Sequence, residues 1–236
     1  MRQGVFFDPV TAEFGSENMD IKEILNRCDH TLLLQTATKK EILSVVDDGI
    51  KYSTASVCIP PCYVKAAAEY SGGRVPVCTV IGFPNGNSTA ESKVYEAKCA
   101  VEDGADEIDM VINIGMLRAG EYDYVLDEIN RIKAAVGDKI LKVIVECSLL
   151  TEDEKRKICE IVLASDADYI KTSTGFAGGG ATREDVSLFA SIMKGRKKIK
   201  AAGGISSLAD AEDFISLGAD RLGTSRIVKL IKKEEK

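Results

Sequence analysis

The run Asp168-Tyr169-Ile170-Lys171-Thr172-Ser173-Thr174-Gly175-Phe176 sets a lysine at the end of a short β-branched and aromatic stretch, before a loop of hydroxyls and glycines. A lysine held on a buried strand is costly to keep charged, so desolvation favours its neutral amine. A neutral amine at the mouth of a barrel is a nucleophile that forms Schiff bases with carbonyl compounds. The plainer reading is an amine that snorkels from the strand end to solvent, and position alone leaves both open. Lys200, in Ile199-Lys200-Ala201-Ala202-Gly203-Gly204, follows one strand–helix unit later. Two lysines on neighbouring strands disfavour each other's charge, which is expected to lower one amine towards working pH. Asp109, in Asp106-Glu107-Ile108-Asp109-Met110-Val111, is a carboxylate within an apolar strand. It suits a proton relay through water, an ion pair that orients a lysine, or a structural salt bridge. Lys142 and Glu146, of equal strand parity, are given a supporting part at most.

Two glycine loops suit an anion. Gly203-Gly204 precede a helix opened by Ser206-Ser207, and Gly223-Thr224-Ser225 precede the last helix. Free backbone N–H groups at such loops, after the seventh and eighth strands of a barrel, form a phosphate cradle. Gly175 to Thr182 matches the spacing of a nucleotide-binding P-loop but has Ala181 where the lysine belongs, which argues against nucleotide hydrolysis.

The elements that would position these groups alternate regularly. Strand candidates are 28–32, 55–59, 75–81, 107–112, 141–146, 169–172, 198–201 and 221–223. Between them lie helical patterns at 39–48, 61–71, 90–103, 121–136, 152–165, 183–194, 208–217 and 226–233. Tyr122, Val125, Ile129, Ile132 and Val136 recur at the helical period. Thr38, Thr151 and Ser206-Ser207 are candidate N-caps, and Gly49, Gly104, Gly137, Gly195 and Gly218 are candidate helix ends. Eight strand–helix units predict an α/β fold, a single (β/α)8 TIM barrel over residues 20–236 with a short N-terminal lead-in at 1–19. A doubly wound sheet is disfavoured because Leu33-Leu34-Gln35-Thr36-Ala37, after the first strand, contains no glycine.

Composition narrows the class. A hydrophobic content of 45% supplies an ordinary core, and no apolar run is long enough for a membrane span or signal peptide. The net charge of −6 argues against broad nucleic-acid binding. Seven cysteines without paired spacing point to a reducing, cytoplasmic setting. His30 is the one histidine, which rules out a zinc site built on two or three histidines. Self-association through the outer helices stays open.

Taken together, Thr79-Val-Ile-Gly-Phe-Pro-Asn-Gly86, Ala105-Asp-Glu-Ile-Asp-Met-Val-Ile-Asn-Ile-Gly115, Tyr169-Ile-Lys-Thr-Ser-Thr-Gly-Phe176 and Lys200-Ala-Ala-Gly-Gly-Ile205 resemble the deoxyribose-phosphate aldolases, Schiff-base aldolases of barrel fold. The resemblance runs from Asp29-His-Thr-Leu-Leu33 to the last helix. It implies reversible cleavage of 2-deoxy-D-ribose 5-phosphate, a phosphosugar, to acetaldehyde and D-glyceraldehyde 3-phosphate, without metal or other cofactor. By the same resemblance Lys171 is the Schiff-base lysine, Lys200 the lysine that tunes it and Asp109 the acid–base partner. Thr174 and Gly175 match the substrate loop, and Gly203, Gly204, Gly223 and Ser225 the phosphate cradle. The chain departs from the family pattern at Leu34-Gln35, Pro60-Pro61 and Arg226-Ile227. Alternatives are a Schiff-base barrel aldolase for another phosphorylated sugar or keto acid, a sugar-phosphate isomerase, and a phosphosugar-binding protein without activity.

Overall fold

Each predicted strand forms, and each takes the place in the sheet that its order in the chain implies. The computed structural model describes residues 19–235 and closes eight parallel strands into a (β/α)8 barrel. Of the expected lead-in, only Met19 falls within those residues.

In chain order the first elements are α1 (Ile21–Leu25), β1 (Cys28–Thr31), α2 (Lys39–Tyr52), β2 (Ser56–Ile59), α3 (Val64–Ser71) and β3 (Val77–Ile81). Next come α4 (Ala90–Glu102), β4 (Glu107–Val111), α5 (Ile114–Arg118), α6 (Tyr122–Val136) and β5 (Ile140–Ile144). Then follow α7 (Glu152–Ala164), β6 (Tyr169–Lys171), α8 (Arg183–Met193), β7 (Lys198–Ala202), α9 (Leu208–Ser216), β8 (Arg221–Thr224) and α10 (Ile227–Glu234). β1 pairs with β8, Asp29 opposite Gly223, and this closes the ring.

Successive side chains of a strand point to opposite faces, so each strand serves two environments. One set (Val57, Ile108, Met110, Leu141, Val143, Ile170 and Ile199 among them) joins the apolar faces of the helices in one core. The alternate set fills the barrel and is of two kinds. Cys58, Cys78 and Val80 form a small apolar cluster with Leu33 and Phe83 beside β2 and β3. From β4 round to β1 the interior is charged instead, with Asp109 in register with Lys142 and Lys171 with Lys200.

The helix signals operate as the spacing predicts. Thr38 with Glu41, and Thr151 with Glu154, form reciprocal capping boxes, and Ser207 does the same with Asp210. Val125, Ile129, Ile132 and Val136 are buried along α6, whereas Tyr122 in its first turn is exposed, under the ammonium of Lys157. Helices α1 and α5, of five residues each, are too short to show a period in sequence.

Gly49 does not end α2; the helix runs on to Tyr52. Its bare Cα lets the helix lie against β2, since a Cβ there would sit 2.5 Å from Cγ1 of Val57. A second contact joins neighbouring units. Lys93 of α4, fully buried, donates to the carbonyls of Gly86 (2.6 Å) and Val111 (2.8 Å) and to Glu128 of α6 (2.7 Å). Glu128 in turn accepts from the amide of Asn113 at 3.0 Å. One ion pair thereby holds the loops that follow β3 and β4.

Gly49→Ala is expected to lower unfolding free energy by about 1–3 kcal/mol through overpacking against Val57. Urea denaturation reads the loss.

Candidate active site

Three carboxylates and four cationic side chains meet inside the barrel: Asp29, Glu107 and Asp109 with Lys142, Lys171, Lys200 and Arg221. Asp109 is at the centre and fully buried. Its Oδ2 accepts from both Lys171 and Lys200, each at 2.7 Å, and its Oδ1 accepts from Lys142 at 2.8 Å. Lys200 also pairs with Asp29, and Lys142 with Glu107 at 2.5 Å. Arg221 bonds Asp29 and Glu107 nearest the amino-terminal ends of the strands, with its guanidinium 5.7 Å from the Tyr169 ring.

Electrostatics follow from this geometry. Burial pushes the Asp109 carboxyl up, but Lys142, Lys171 and Lys200 together outweigh it and hold the group well below the usual carboxylate range. Asp29 behaves alike: burial raises it, and Lys200, Lys142 and Arg221 win, so it is lowered. Burial lowers the Lys200 ammonium, while Asp109 and Asp29 more than restore it, so Lys200 is raised above its ordinary value. The expectation that paired lysines would lower one amine therefore does not hold for Lys200. The carboxylates of Asp109 and Asp29, which it touches, outweigh the like charge of Lys142. Lys171 has one carboxylate partner among the described residues, Asp109, and it alone of the four bases lines the open cavity.

That cavity, of about 390 Å³, lies at the carboxyl ends of the strands. It brings Lys171 together with Thr174, Gly175, Gly203, Gly204, Gly223 and Ser225, the whole set of loop residues expected from sequence, and adds Arg226. Asp109 and Lys200 are packed behind Lys171 and do not line it. The amides of Ser206 and Ser207 are taken by Asp210, and that of Arg226 by Thr224. Among the described residues the amides of Gly204 and Ser225 have no partner, which leaves them for an anion. Gly203 and Gly204 have φ of 79° and 78°, where a side chain would be strained. Gly223 has a further part: a Cβ there would come 2.9 Å from Ala202 Cβ and 3.1 Å from Lys200 Cε, so its missing side chain is the space that Lys200 occupies.

A sequence profile of the DeoC/LacD family aldolases matches residues 24–220. The chain belongs to this family. A deoxyribose-phosphate aldolase of Streptococcus pyogenes is 57% identical over 216 residues, covering 92% of this chain and 97% of the relative. One from Streptococcus agalactiae is 57% identical over 217 residues, with the same coverage. Among solved structures, a protein described as QR15, an aldolase, superposes with a TM-score of 0.85 at 39% identity, covering 92% of this chain and 98% of its own. The tetrameric deoxyribose phosphate aldolase of Aeropyrum pernix gives 0.81 at 31% identity, with 91% and 92% covered.

Sequence reading of this DeoC/LacD family aldolase missed Asp29, Glu107 and Arg221 as members of the cluster and gave Lys142 too small a part. The signal was present: each is an ionisable residue in a strand buried on both faces, and such a charge must find a partner. Two acid–thiol groups, Cys58-Cys78-Asp109 and Asp29-Cys78-Glu107, have atoms within 4.8 Å of one another. Their carboxylates already hold lysine and arginine. A second, more apolar cavity of about 280 Å³ shares Leu33 with the first and includes Leu34, Pro60, Phe83 and Phe176.

Lys142→Met would leave Asp109 and Glu107 short of a cation, and is expected to cost about 3–5 kcal/mol at neutral pH. The depressed carboxyls of Asp29 and Asp109 stabilise the fold above the ordinary value of 3.8, and that contribution is lost as pH falls below it. Urea titrations of the wild type at pH 7, 5 and 3 should show the drop between the last two.

Proposed function

We propose that this chain is a deoxyribose-phosphate aldolase in which Lys171 is the Schiff-base lysine, within a catalytic domain spanning residues 20–236. The observation that carries the reading is the single oxygen of Asp109 that bonds both Lys171 and Lys200, with Lys171 opening onto the cavity that holds the glycine loops. The curated streptococcal relatives carry the same enzyme name over nearly their whole length.

The amine of Lys171 adds to the C1 aldehyde of the open-chain sugar, and loss of water gives an iminium. The C2–C3 bonding pair flows to the iminium nitrogen as the C3 hydroxyl gives up its proton, releasing glyceraldehyde 3-phosphate and leaving an enamine. Protonation at C2 and addition of water return acetaldehyde and free Lys171. Asp109 holds the amine and links it through one oxygen to Lys200. These two, with water, are assigned the proton transfers. Gly203, Gly204, Gly223 and Ser225, helped by Arg226, are assigned the phosphate, and Thr174 and Gly175 the sugar.

The glycine loops on the wall of the Lys171 cavity suit the anionic end of a phosphosugar. All seven cysteines are unpaired, which supports a cytoplasmic setting. No helix among the described residues is long and apolar enough to cross a membrane. Self-association is proposed by analogy with the tetrameric Aeropyrum pernix relative.

Borohydride trapping with acetaldehyde, followed by peptide mass mapping, should place the reduced adduct on Lys171; an adduct on another residue would overturn the assignment. Lys171→Arg is expected to keep the fold and lose turnover, because a guanidinium stays protonated. Incubation with a strong chelator should leave the cleavage rate unchanged.

A further inference from the structure

Glu146 lies just past the carboxyl end of β5, and its backbone has φ of 55° and ψ of 66°. Among the described residues two other non-glycine residues have positive φ, Ser53 and Lys194, and both are exposed helix ends. Glu146 differs in being 1% exposed. A glycine would adopt this backbone without strain. A glutamate here keeps the conformation at a cost, so the side chain must return something for it.

What it returns is contact with the loop after β6. One carboxylate oxygen, Oε2, accepts from the amide of Thr174 at 3.1 Å and from its hydroxyl. That hydroxyl in turn accepts from the amide of Phe176 at 3.0 Å. The other oxygen, Oε1, is buried and has no partner among the described residues. The chain on either side stays zipped: the amide of Val145 donates to the carbonyl of Lys171, and that of Cys147 to the carbonyl of Thr172. Glu146 therefore reaches from a fixed backbone to a loop whose Thr174 and Gly175 form part of the wall of the Lys171 cavity.

We propose that Glu146 is a positioning residue for the aldol cleavage, a carboxylate latch that holds Thr174–Phe176 in the shape that receives the sugar. The proposal rests on the aldolase reading. It also refines the part of Thr174. The hydroxyl proton is committed to Glu146 and one lone pair to Phe176, so towards substrate this hydroxyl can only accept. Loss of the latch leaves Lys171, Asp109 and Lys200 untouched. The donor step should therefore survive, while capture and orientation of the phosphosugar should not.

The test compares Glu146→Gly with wild type in four readouts. Replacement relieves the backbone, so the melting temperature is expected to hold or rise. Borohydride trapping of acetaldehyde on Lys171 should stay within twofold. kcat/KM for 2-deoxyribose 5-phosphate should fall about tenfold to a hundredfold, as expected when a substrate-positioning wall loses its place. Amide exchange at Thr174 and Phe176 should quicken. Thr174→Val, which removes the hydroxyl and leaves the carboxylate, should lose kcat/KM similarly, and the double variant should lose little more. If Glu146→Gly does not fold, Glu146→Asn, which tolerates the left-handed backbone and is too short to reach Thr174, takes its place in the same trapping, cleavage and exchange measurements. Cleavage by Glu146→Gly within twofold of wild type, unchanged exchange, or fully additive losses would each overturn the latch. Trapping that falls in step with cleavage would also overturn it, as a general loss of structure. A wild-type protein that fails to cleave the sugar would overturn the aldolase reading instead, and the exchange rates would still decide the latch.

Discussion

One buried carboxylate, Asp109, organises the interior of this barrel. Three lysine side chains converge on its two oxygens, and for Lys171 it is the one carboxylate partner among the described residues. Taking so many charges out of water costs more than any one pair returns, and only a network with nearly every lone pair engaged offsets it. Asp29 and Glu107 complete that network from β1 and β4, with Arg221 tying them together near the amino-terminal end. Charges so fully engaged cannot drift. The amine that opens onto the cavity is consequently held in one place by a carboxylate that does not line it.

The division of the barrel interior follows from this arrangement. Charged residues occupy the arc from β4 round to β1, while β2 and β3 contribute Cys58, Cys78 and Val80. The open cavity above this interior is lined by Lys171 and the loops that follow β6, β7 and β8. A low dielectric beside a fixed charge array strengthens every electrostatic term acting on the reacting atoms. The glycine loops add amide dipoles at the rim of the cavity.

The barrel was legible because each signal is local. Eight alternations of β-rich and helical runs, with capping residues such as Thr38 and Thr151 at the helix starts, need no long-range knowledge. Lys171, Asp109, Lys200 and the glycine loops were likewise visible, since a lysine or carboxylate in a buried strand and paired glycines after one are both unusual. What stayed hidden depends on register across the ring. Arg221 and Glu107 are in β8 and β4, far apart in sequence, and only closure of the barrel shows that they meet. The raised Lys200 could not be read because its sign depends on Asp29, a residue 171 positions earlier. Gly49 was misread because a glycine that permits close helix–strand contact looks in sequence like one that ends a helix.

The (β/α)8 barrel is often treated as a scaffold whose loops can be exchanged one at a time. The pair formed by Lys93 and Glu128 limits that freedom here. Its hydrogen bonds reach a carbonyl in the loop after β3 and both a carbonyl and an amide at the end of β4, from side chains carried by two different helices. The third and fourth βα units are therefore one inheritable part. A graft that takes either loop without both helices would strand an ion in the core, so recombination points in this chain belong before β3 or after α6.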